Sequence, residues 1–355
     1  MYNGIAVHGA WVFADRDVRK NEKWGKSMKH IYIINPAAGR GDSSDALIAR
    51  IMKAYGAKGE SDLPSFYITT GVGDATRYVH TYCNDHPDER VRFYACGGDG
   101  TLSEVVNGAV GHECASVGLI PAGTGNDFVR SFTQNERFMN FEAQRDGQEI
   151  DIDLIRCNGT YGINLFNTGF DCEVVVKTGE IKRKPFVSSG MAYGMGVALE
   201  LIRKPGVKVE FSVDGEAPVK RELLLCAIGN GAYYGGGFMP LPHASISDGL
   251  LDMCIVDNVS RAKFVSLVGT YKRGEHIVPA NADVLSYRRC RSVTMKFPRP
   301  QNVCMDGEVR QMCECRIEVV PHALRFVVPR GSAPIILPDY EGALDQKKKV
   351  VSKVK

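Results

Sequence analysis

The sequence predicts an α/β domain with a mostly parallel sheet, followed by a mainly antiparallel β-sandwich domain. Three observations carry that expectation. From His30 to about residue 148, short apolar runs alternate four times with stretches of helical periodicity across short connections. After Gln148 the apolar runs are separated by Asn158-Gly159 and Asp214-Gly215, dipeptides that favour hairpin turns. At 355 residues the chain also exceeds the ~250–300 residues that one core usually fills.

Each element has a local reason. Residues 31–34 are an apolar strand that stops at Asn35-Pro36. Ser43 or Ser44 can cap a helix in which Leu47, Ile48, Ile51, Met52 and Tyr55 recur at helical spacing. Strands are then expected at 65–69, 91–96 and 117–120, and helices from Gly73 through Val79, at 102–110 and, briefly, at 126–132. In the second half, strands at 150–157 and 161–166 flank Asn158-Gly159. Those at 208–213 and 219–228 flank Asp214-Gly215 across a longer loop. Further strands are expected at 250–256, 292–297, 302–305 and 316–320, with helices near 192–203 and 262–271.

The organisation that follows is a poorly structured leader over 1–29, an α/β domain over 30–148 and a β-rich domain over 149–321. Residues 322–340, through the apolar run 324–328, are expected to return to the first domain. A solvated basic tail over 341–355 carries Lys347, Lys348, Lys349, Lys353 and Lys355, with weak attraction to anionic lipid as its sharper reading. Met1 and Met28 are both candidate starts.

Composition excludes several classes. A net charge of +3 is too small to argue for nucleic acid as partner. No apolar run approaches the ~20 residues of a membrane-spanning helix, and 187–202 is interrupted by glycines, serines and Glu200. Residues 1–29 lack the apolar core of a secretory signal, and the eleven cysteines follow no disulfide-framework spacing. Reduced thiols and a cytoplasmic location are expected. Cys304, Cys313, Cys315 and His322 match no common zinc spacing.

The chemistry concentrates in three glycine-rich turns. Gly97-Gly98-Asp99-Gly100-Thr101 lies between a strand and a helix, so it presents free helix N–H groups at the end of a parallel strand, where phosphates bind. Thr101 and Glu104 have capping-box spacing. Asp99 would repel phosphate and is better explained as holding Mg²⁺, although a tight turn with Asp99 as a helix cap remains the bland alternative. Asn35-Pro36-Ala37-Ala38-Gly39-Arg40-Gly41 and Pro121-Ala122-Gly123-Thr124-Gly125-Asn126-Asp127 repeat the theme after neighbouring strands. Three such loops at one sheet edge suggest a nucleotide cleft. Neither the Walker pattern nor the dinucleotide G-x-G-x-x-G is matched.

These loops resemble those of the diacylglycerol kinase catalytic-domain family. The likeness covers an Asn-Pro-x-x-Gly at 35–39, Gly-Gly-Asp-Gly-Thr-x-x-Glu-Val-x-Asn-Gly at 97–108 and Ile-Pro-x-Gly-Thr-x-Asn-Asp at 120–127. It continues through the Gly-Phe-Asp that closes 163–174, Arg273-Gly274-Glu275-His276, Asp248-Gly249-Leu250-Leu251-Asp252 and Asp306-Gly307-Glu308, collinearly from His30 to Val328. It is most similar to the compact bacterial soluble enzymes. The resemblance implies an NAD kinase/phosphofructokinase-like α/β domain and ATP- and Mg²⁺-dependent phosphorylation of a lipid hydroxyl, first of all that of diacylglycerol. It implies that Asn35, Pro36, Ala37, Ala38, Gly39, Thr69, Gly98, Asp99, Gly100, Thr101, Leu102, Ser103, Glu104 and Thr124 line the ATP site. Asp306 would be the general base, with Glu308 beside it on the nucleotide or metal, and Asp99 would serve the catalytic Mg²⁺. Asp248 with main-chain oxygens of Ser245 and Leu250 would hold a structural Mg²⁺. A homodimer and peripheral attachment to a membrane presenting the lipid are also implied.

Rival activities are a sphingoid-type or other lipid kinase, an NAD kinase-like enzyme, which shares the Gly-Gly-Asp-Gly loop, and a non-catalytic lipid- or nucleotide-binding member. Asp99, Asp306 and Glu308 are all present, against the last. Residues 188–198, with Met191, Tyr193 and Met195, are either a lipid-facing surface or a packed helix.

Overall fold

The computed structural model describes residues 28–38, 44–56, 63–123, 125–182 and 206–336. Gly39, Thr124, the expected helix at 192–203, the segment 188–198, the leader up to residue 27 and the tail from 337 lie outside the described residues.

In the first half, β1 (Lys29–Ile34), α1 (Ser44–Tyr55), β2 (Ser65–Ile68), α2 (Asp74–Asp85), β3 (Val91–Gly97), α3 (Asp99–Ala109) and β4 (Ala115–Pro121) alternate along the chain. Their strands are parallel, in the order β4-β3-β1-β2. Both faces are covered. Ile31, Ile33, Phe93 and Val117 pack with Val79, Leu102 and Val106 of α2 and α3, while Tyr32, Ile34, Tyr94 and Ile120 pack with Ile51 and Tyr55 of α1. Burial on both faces is why these strands appear in the sequence as continuous apolar runs.

The expected α-helix at 126–132 is instead a single 3₁₀ turn, Phe128–Ser131. Asn126 has φ 51°, and the amides of Asn126 and Asp127 are bonded to Asp99, so no helix can start before Phe128.

The chain continues with α4 (Phe141–Arg145), β5 (Gln148–Cys157), β6 (Thr160–Gly162), β7 (Leu165–Gly169), α5 (Phe170–Lys182), β8 (Val207–Val213), β9 (Val219–Gly229), β10 (Leu251–Asp257), α6 (Arg261–Arg273), β11 (Leu285–Cys290), β12 (Ser292–Met305) and β13 (Glu308–Val328). Except where β13 meets β4, these strands pair antiparallel. Phe166, Val209, Ile228, Met253, Val293 and Ile317 share one core, and Leu165, Phe170, Leu224, Tyr271 and Tyr287 share a second beneath α5 and α6.

Four elements differ from expectation. The run 161–166 is broken, because the amides of Ile163, Asn164 and Leu165 turn to the Asp306 carboxylate. The strand beginning at Leu165 ends at Gly169 (φ 98°), where a Cβ would lie 2.4 Å from the Leu224 carbonyl oxygen. A helix follows, with Asp171 and Glu173 favourably placed in its first turn. Runs 292–297 and 302–305 form one strand, with a register shift between Lys296 and Gln301 that spans Pro298 and Pro300. β11 was not expected, since Arg288 and Arg289 break up its apolar alternation.

β13 ties the two halves together. Residues 308–318 pair with β12, the strand pairs with β5 on both sides of the Val320/Leu324 register shift, and Phe326 pairs in parallel with Val117 of β4.

Candidate active site

The carboxyl ends of β1, β3 and β4 bring three turns together. After β1, the Asn35 side chain accepts the Ala37 N–H (3.0 Å) and donates to Thr101 Oγ1 (3.0 Å), joining the first turn to the second. Thr69, just past β2, donates its N–H (2.9 Å) and hydroxyl (3.3 Å) to the Ile34 carbonyl. The second and third turns touch backbone to backbone. A Cβ at Gly123 would lie 2.4 Å from Gly98 Cα, and one at Gly97 would lie 2.2 Å from Thr101 Oγ1. Glycine is therefore required for close approach here, whereas a Cβ at Gly100 would meet nothing within 4 Å. The turn is open to a ligand at Gly100, where α3 begins.

Helix α3 starts at Asp99 with Gly98 as its N-cap and no side-chain cap, so the expected capping box does not form. Thr101 already lies inside the helix and its hydroxyl accepts from Asn35. Glu104 reaches sideways instead, accepting the N–H groups of Gly73 (2.9 Å) and Ala75 (3.2 Å) and so capping α2. The first amides of α3 are left without a side-chain partner, the condition under which a helix terminus accepts an anion. Leu102 is core, and Ser103 faces a small cleft shared with Glu308, Arg310 and Met305.

Asp99 accepts the N–H groups of Asn126 (3.0 Å) and Asp127 (3.1 Å), fastening the second turn to the third. Burial, and then the charges of Asp127 and Asp306, push its carboxyl up to about 6. Asp127 is itself raised by burial. It accepts the Gly236 N–H (3.0 and 3.1 Å) and lies 3.3 Å from Arg130.

Asp306-Gly307 is the two-residue turn joining β12 to β13, with φ 50° and 88°. The Asp306 side chain folds back onto the segment between β6 and β7. There Oδ2 accepts the Ile163 N–H (2.7 Å), and Oδ1 those of Asn164 (3.1 Å) and Leu165 (2.9 Å). Two carboxylate oxygens offer about four acceptor sites, so three are filled and one remains on Oδ2. Burial raises the Asp306 carboxyl above its ordinary value, against the pull of those amides. Glu308 is half-exposed and pairs with Arg310 at 3.2 Å. Turn geometry and a candidate catalytic group thus coincide at Asp306.

Residues 29–157 match the family model described as the diacylglycerol kinase catalytic domain, and residues 164–328 match the YegS C-terminal NAD kinase beta sandwich-like domain. A diacylglycerol kinase of Mycobacterium tuberculosis is 33% identical over 242 residues, covering 66% of this chain and 75% of that protein. A protein of Xanthomonas axonopodis pv. citri named "Probable lipid kinase YegS-like" is 32% identical over 281 residues, 76% of this chain and 87% of that protein. The chain belongs to the diacylglycerol kinase family. It is a lipid kinase. A crystal structure of a diacylglycerol kinase from Bacillus anthracis shares the fold, at 22% identity and a TM-score of 0.64 over 86% of this chain and 98% of that one.

In this kinase Ser245 and Asp248 line a pocket together with Arg130 and Ser131, which follow the third turn. Asp248 accepts the Leu250 N–H (3.1 Å), stands 3.9 Å from Arg289, and is raised by burial. The loop is anchored by Asp153, which is fully buried and accepts the N–H groups of Gly249 (2.6 Å) and His322 (2.8 Å). Sequence reasoning assigned no role to Asp153 or to Asp127. Asp127 had a signal, as the last residue of the third glycine-rich turn. The Gly235-Gly236-Gly237 run that meets it was likewise legible as a close-approach segment. Among the described residues no three His, Cys, Asp or Glu side chains form a metal-holding group, and Cys304, Cys313, Cys315 and His322 do not assemble one.

Proposed function

We propose that this lipid kinase transfers the γ-phosphate of ATP to the free hydroxyl of diacylglycerol, giving phosphatidic acid, in a Mg²⁺-dependent reaction. The observation that supports this best is the cleft in which Ser103 of α3 faces Met305 and Glu308, the residues on either side of the Asp306-Gly307 turn, so that the candidate base stands beside the helix that leaves the second glycine-rich turn. In this reading residues 30–148 carry the nucleotide, 149–321 carry the lipid, and the chain beyond closes back on the first part.

The donor set suits the proposed groups. Asp99 offers hard carboxylate oxygens of the kind Mg²⁺ takes, and since no third acidic side chain joins it in a metal-holding group among the described residues, phosphate oxygens and water would complete the shell. The uncapped start of α3 and the open face at Gly100 fit a phosphate. When bound, MgATP would supply the transferable phosphoryl group and neutralise charge on it.

The chain's own groups do the rest. Asn35, Pro36, Ala37 and Ala38, with Gly98, Gly100 and Thr101, would shape the phosphate cradle, and the family resemblance assigns Gly39 and Thr124, outside the described residues, to the same role. Thr69, Leu102, Ser103 and Glu104 support it, Glu104 by holding α2. Asp99 would hold the magnesium. Asp306 takes the proton of the lipid hydroxyl on the remaining acceptor site of Oδ2, a step that helps by about 10²–10⁴-fold in general base catalysis. Glu308 stands beside it toward the nucleotide. A structural Mg²⁺ at Asp248, with Ser245 and Leu250, would offset the partial desolvation that raises that carboxyl. The lipid is taken from a membrane surface by a homodimer. Among the described residues no helix is long and apolar enough to cross a membrane.

The test is Mg²⁺-dependent transfer of radiolabelled γ-phosphate from ATP to mixed micelles of diacylglycerol, sphingosine or ceramide, with NAD as a soluble control. Label in diacylglycerol that disappears with Asp306→Ala is the expected result. Label in NAD alone would overturn the acceptor assignment.

A further inference from the structure

We propose that Asn107 is a positioning residue for the transfer reaction, its carboxamide setting the distance between the start of α3 and the candidate base Asp306. This deepens the proposed function and rests on Asp306 taking the proton of the acceptor hydroxyl.

Asn107 lies on α3 about two turns beyond the uncapped start at Gly98. Its Nδ2 donates to the Ser103 carbonyl one turn back (2.9 Å) and to the Tyr161 carbonyl of β6 (2.7 Å), while its Oδ1 accepts the Tyr161 N–H (3.0 Å). Both donors and one acceptor site are therefore used, which fixes the orientation of the amide. Aspartate would lack both donors, and leucine of similar shape would lack all three groups. Helix α3 does not need this link for its own place. Leu102, Val105 and Val106 hold it in the core, Glu104 holds it to α2, and asparagine is a weak helix former.

The need lies in β6. That strand is three residues long and, among the described residues, pairs with β5 alone. Tyr161 stands opposite Arg156 in that pairing, yet its own N–H and C=O both go to Asn107. One side chain of the first half thus satisfies a backbone edge of the second, as a neighbouring strand would.

Beyond Tyr161 is the mount of the base. A Cβ at Gly162 would lie 2.8 Å from Met305 Cγ and 3.2 Å from Asp306 Oδ2, so the backbone here presses directly on the turn. The next three amides, of Ile163, Asn164 and Leu165, are those that hold the Asp306 carboxylate. A slip of residues 161–165 must therefore carry Asp306 with it or break these bonds. Asn107 ties that segment to the helix whose first turn is proposed to meet the phosphate, and a misplacement of about 1 Å in such a link costs about 10²-fold in rate.

The experiment compares Asn107→Ala and Asn107→Leu with the native protein. It reads label transfer at saturating MgATP and acceptor from pH 4.5 to 8.5, ATP binding by titration calorimetry, and hydrogen exchange of the Ile163–Leu165 amides. In both variants kcat should fall ~10–100-fold, ATP affinity should stay within about twofold, and those amides should exchange more than about tenfold faster while those of β9 and β10 do not change. The three amides pull the Asp306 carboxyl down against its burial, so loosening them moves the kcat midpoint to higher pH. A role confined to stability would not move that midpoint. Unchanged exchange in Asn107→Ala, a fall in kcat with an unmoved midpoint, or wild-type behaviour of Asn107→Leu would each overturn the proposal. Asp306→Asn assayed alongside keeps the two readings apart. If it retains kcat, the base assignment fails, while exchange at 163–165 still judges the link.

Discussion

Replacing Asp306 by asparagine separates its two duties. The carboxylate holds three amides and is proposed to take a proton, and asparagine can keep only part of the first. Its oxygen can still serve Asn164 and Leu165, at 3.1 and 2.9 Å in the native contact. Its NH₂ would then face the Ile163 N–H across 2.7 Å, donor against donor. Losing that bond and burying an unsatisfied donor costs about 1–3 kcal/mol, well inside an ordinary folding margin of ~5–15 kcal/mol. Asp306→Asn is thus expected to stay folded with a lowered melting temperature and to keep binding ATP, while kcat falls by ~10²–10⁴. Burial raises the Asp306 carboxyl, so wild-type kcat should climb with pH through a midpoint above the usual aspartate range, and the variant should lose that limb. Label transfer at saturating acceptor from pH 4.5 to 8.5, beside thermal melts, measures both. A variant that melts lower yet keeps kcat within tenfold of wild type would show the turn to be purely structural.

Other outcomes follow from the same geometry. Gly123→Ala forces a Cβ to within 2.4 Å of Gly98 Cα, so it should drive the second and third turns apart and weaken ATP binding more than tenfold in titration calorimetry, while far-ultraviolet circular dichroism stays unchanged. Glu104→Ala uncaps α2 and should cost ~1 kcal/mol of stability in urea unfolding; a protein as stable as wild type would refute that role. Burial holds Asp171 at about 7 and Asp99 and Asp252 at about 6, against an ordinary 3.8. The folded state then binds these protons more tightly than the unfolded chain, a contribution fully present below pH ~4 and lost as pH rises through 6 to 7. Asp171→Asn, which can still accept from Tyr234, should therefore gain ~1–3 kcal/mol on wild type between pH 5 and pH 8 in metal-free urea titrations, and an unchanged difference would count against the buried charge.

The sequence carried the parallel strands, the glycine turns and the hairpin at Asn158-Gly159, because each is set by residues within about a turn of one another. What it hid is non-local. Nothing near Glu104 says that its partners are the amides of α2, twenty-nine and thirty-one residues away. The capping-box spacing Thr101-x-x-Glu104 is real but idle, since the turn enters the helix two residues before Thr101. The break in 161–166 is likewise invisible locally, because its cause, Asp306, lies more than 140 residues on. Asp127 and Asp153 were overlooked for a related reason. An acidic residue in a turn or strand looks solvated until the backbone that covers it is known.

Those non-local contacts also fix how the two halves can move. Asp306 opens a turn whose second strand, β13, runs twenty-one residues to pair beside β4, the strand that feeds the third glycine-rich turn. The candidate base and the phosphate-type loops are therefore joined through one strand, whose ladder with β5 is interrupted between Val320 and Leu324 and which meets β4 at Phe326. Bending within either paired stretch would break several backbone hydrogen bonds at once, each worth about 0.5–1.5 kcal/mol net, so any relative movement of the two halves is confined to the irregularity at 320–324. The second and third turns are likewise fastened to each other, through the Gly97 carbonyl accepting the N–H groups of Ala122 (2.8 Å) and Gly123 (3.2 Å) and through the Asp99 carboxylate, so the proposed base and the phosphate-type loops are both held ready by backbone hydrogen bonds.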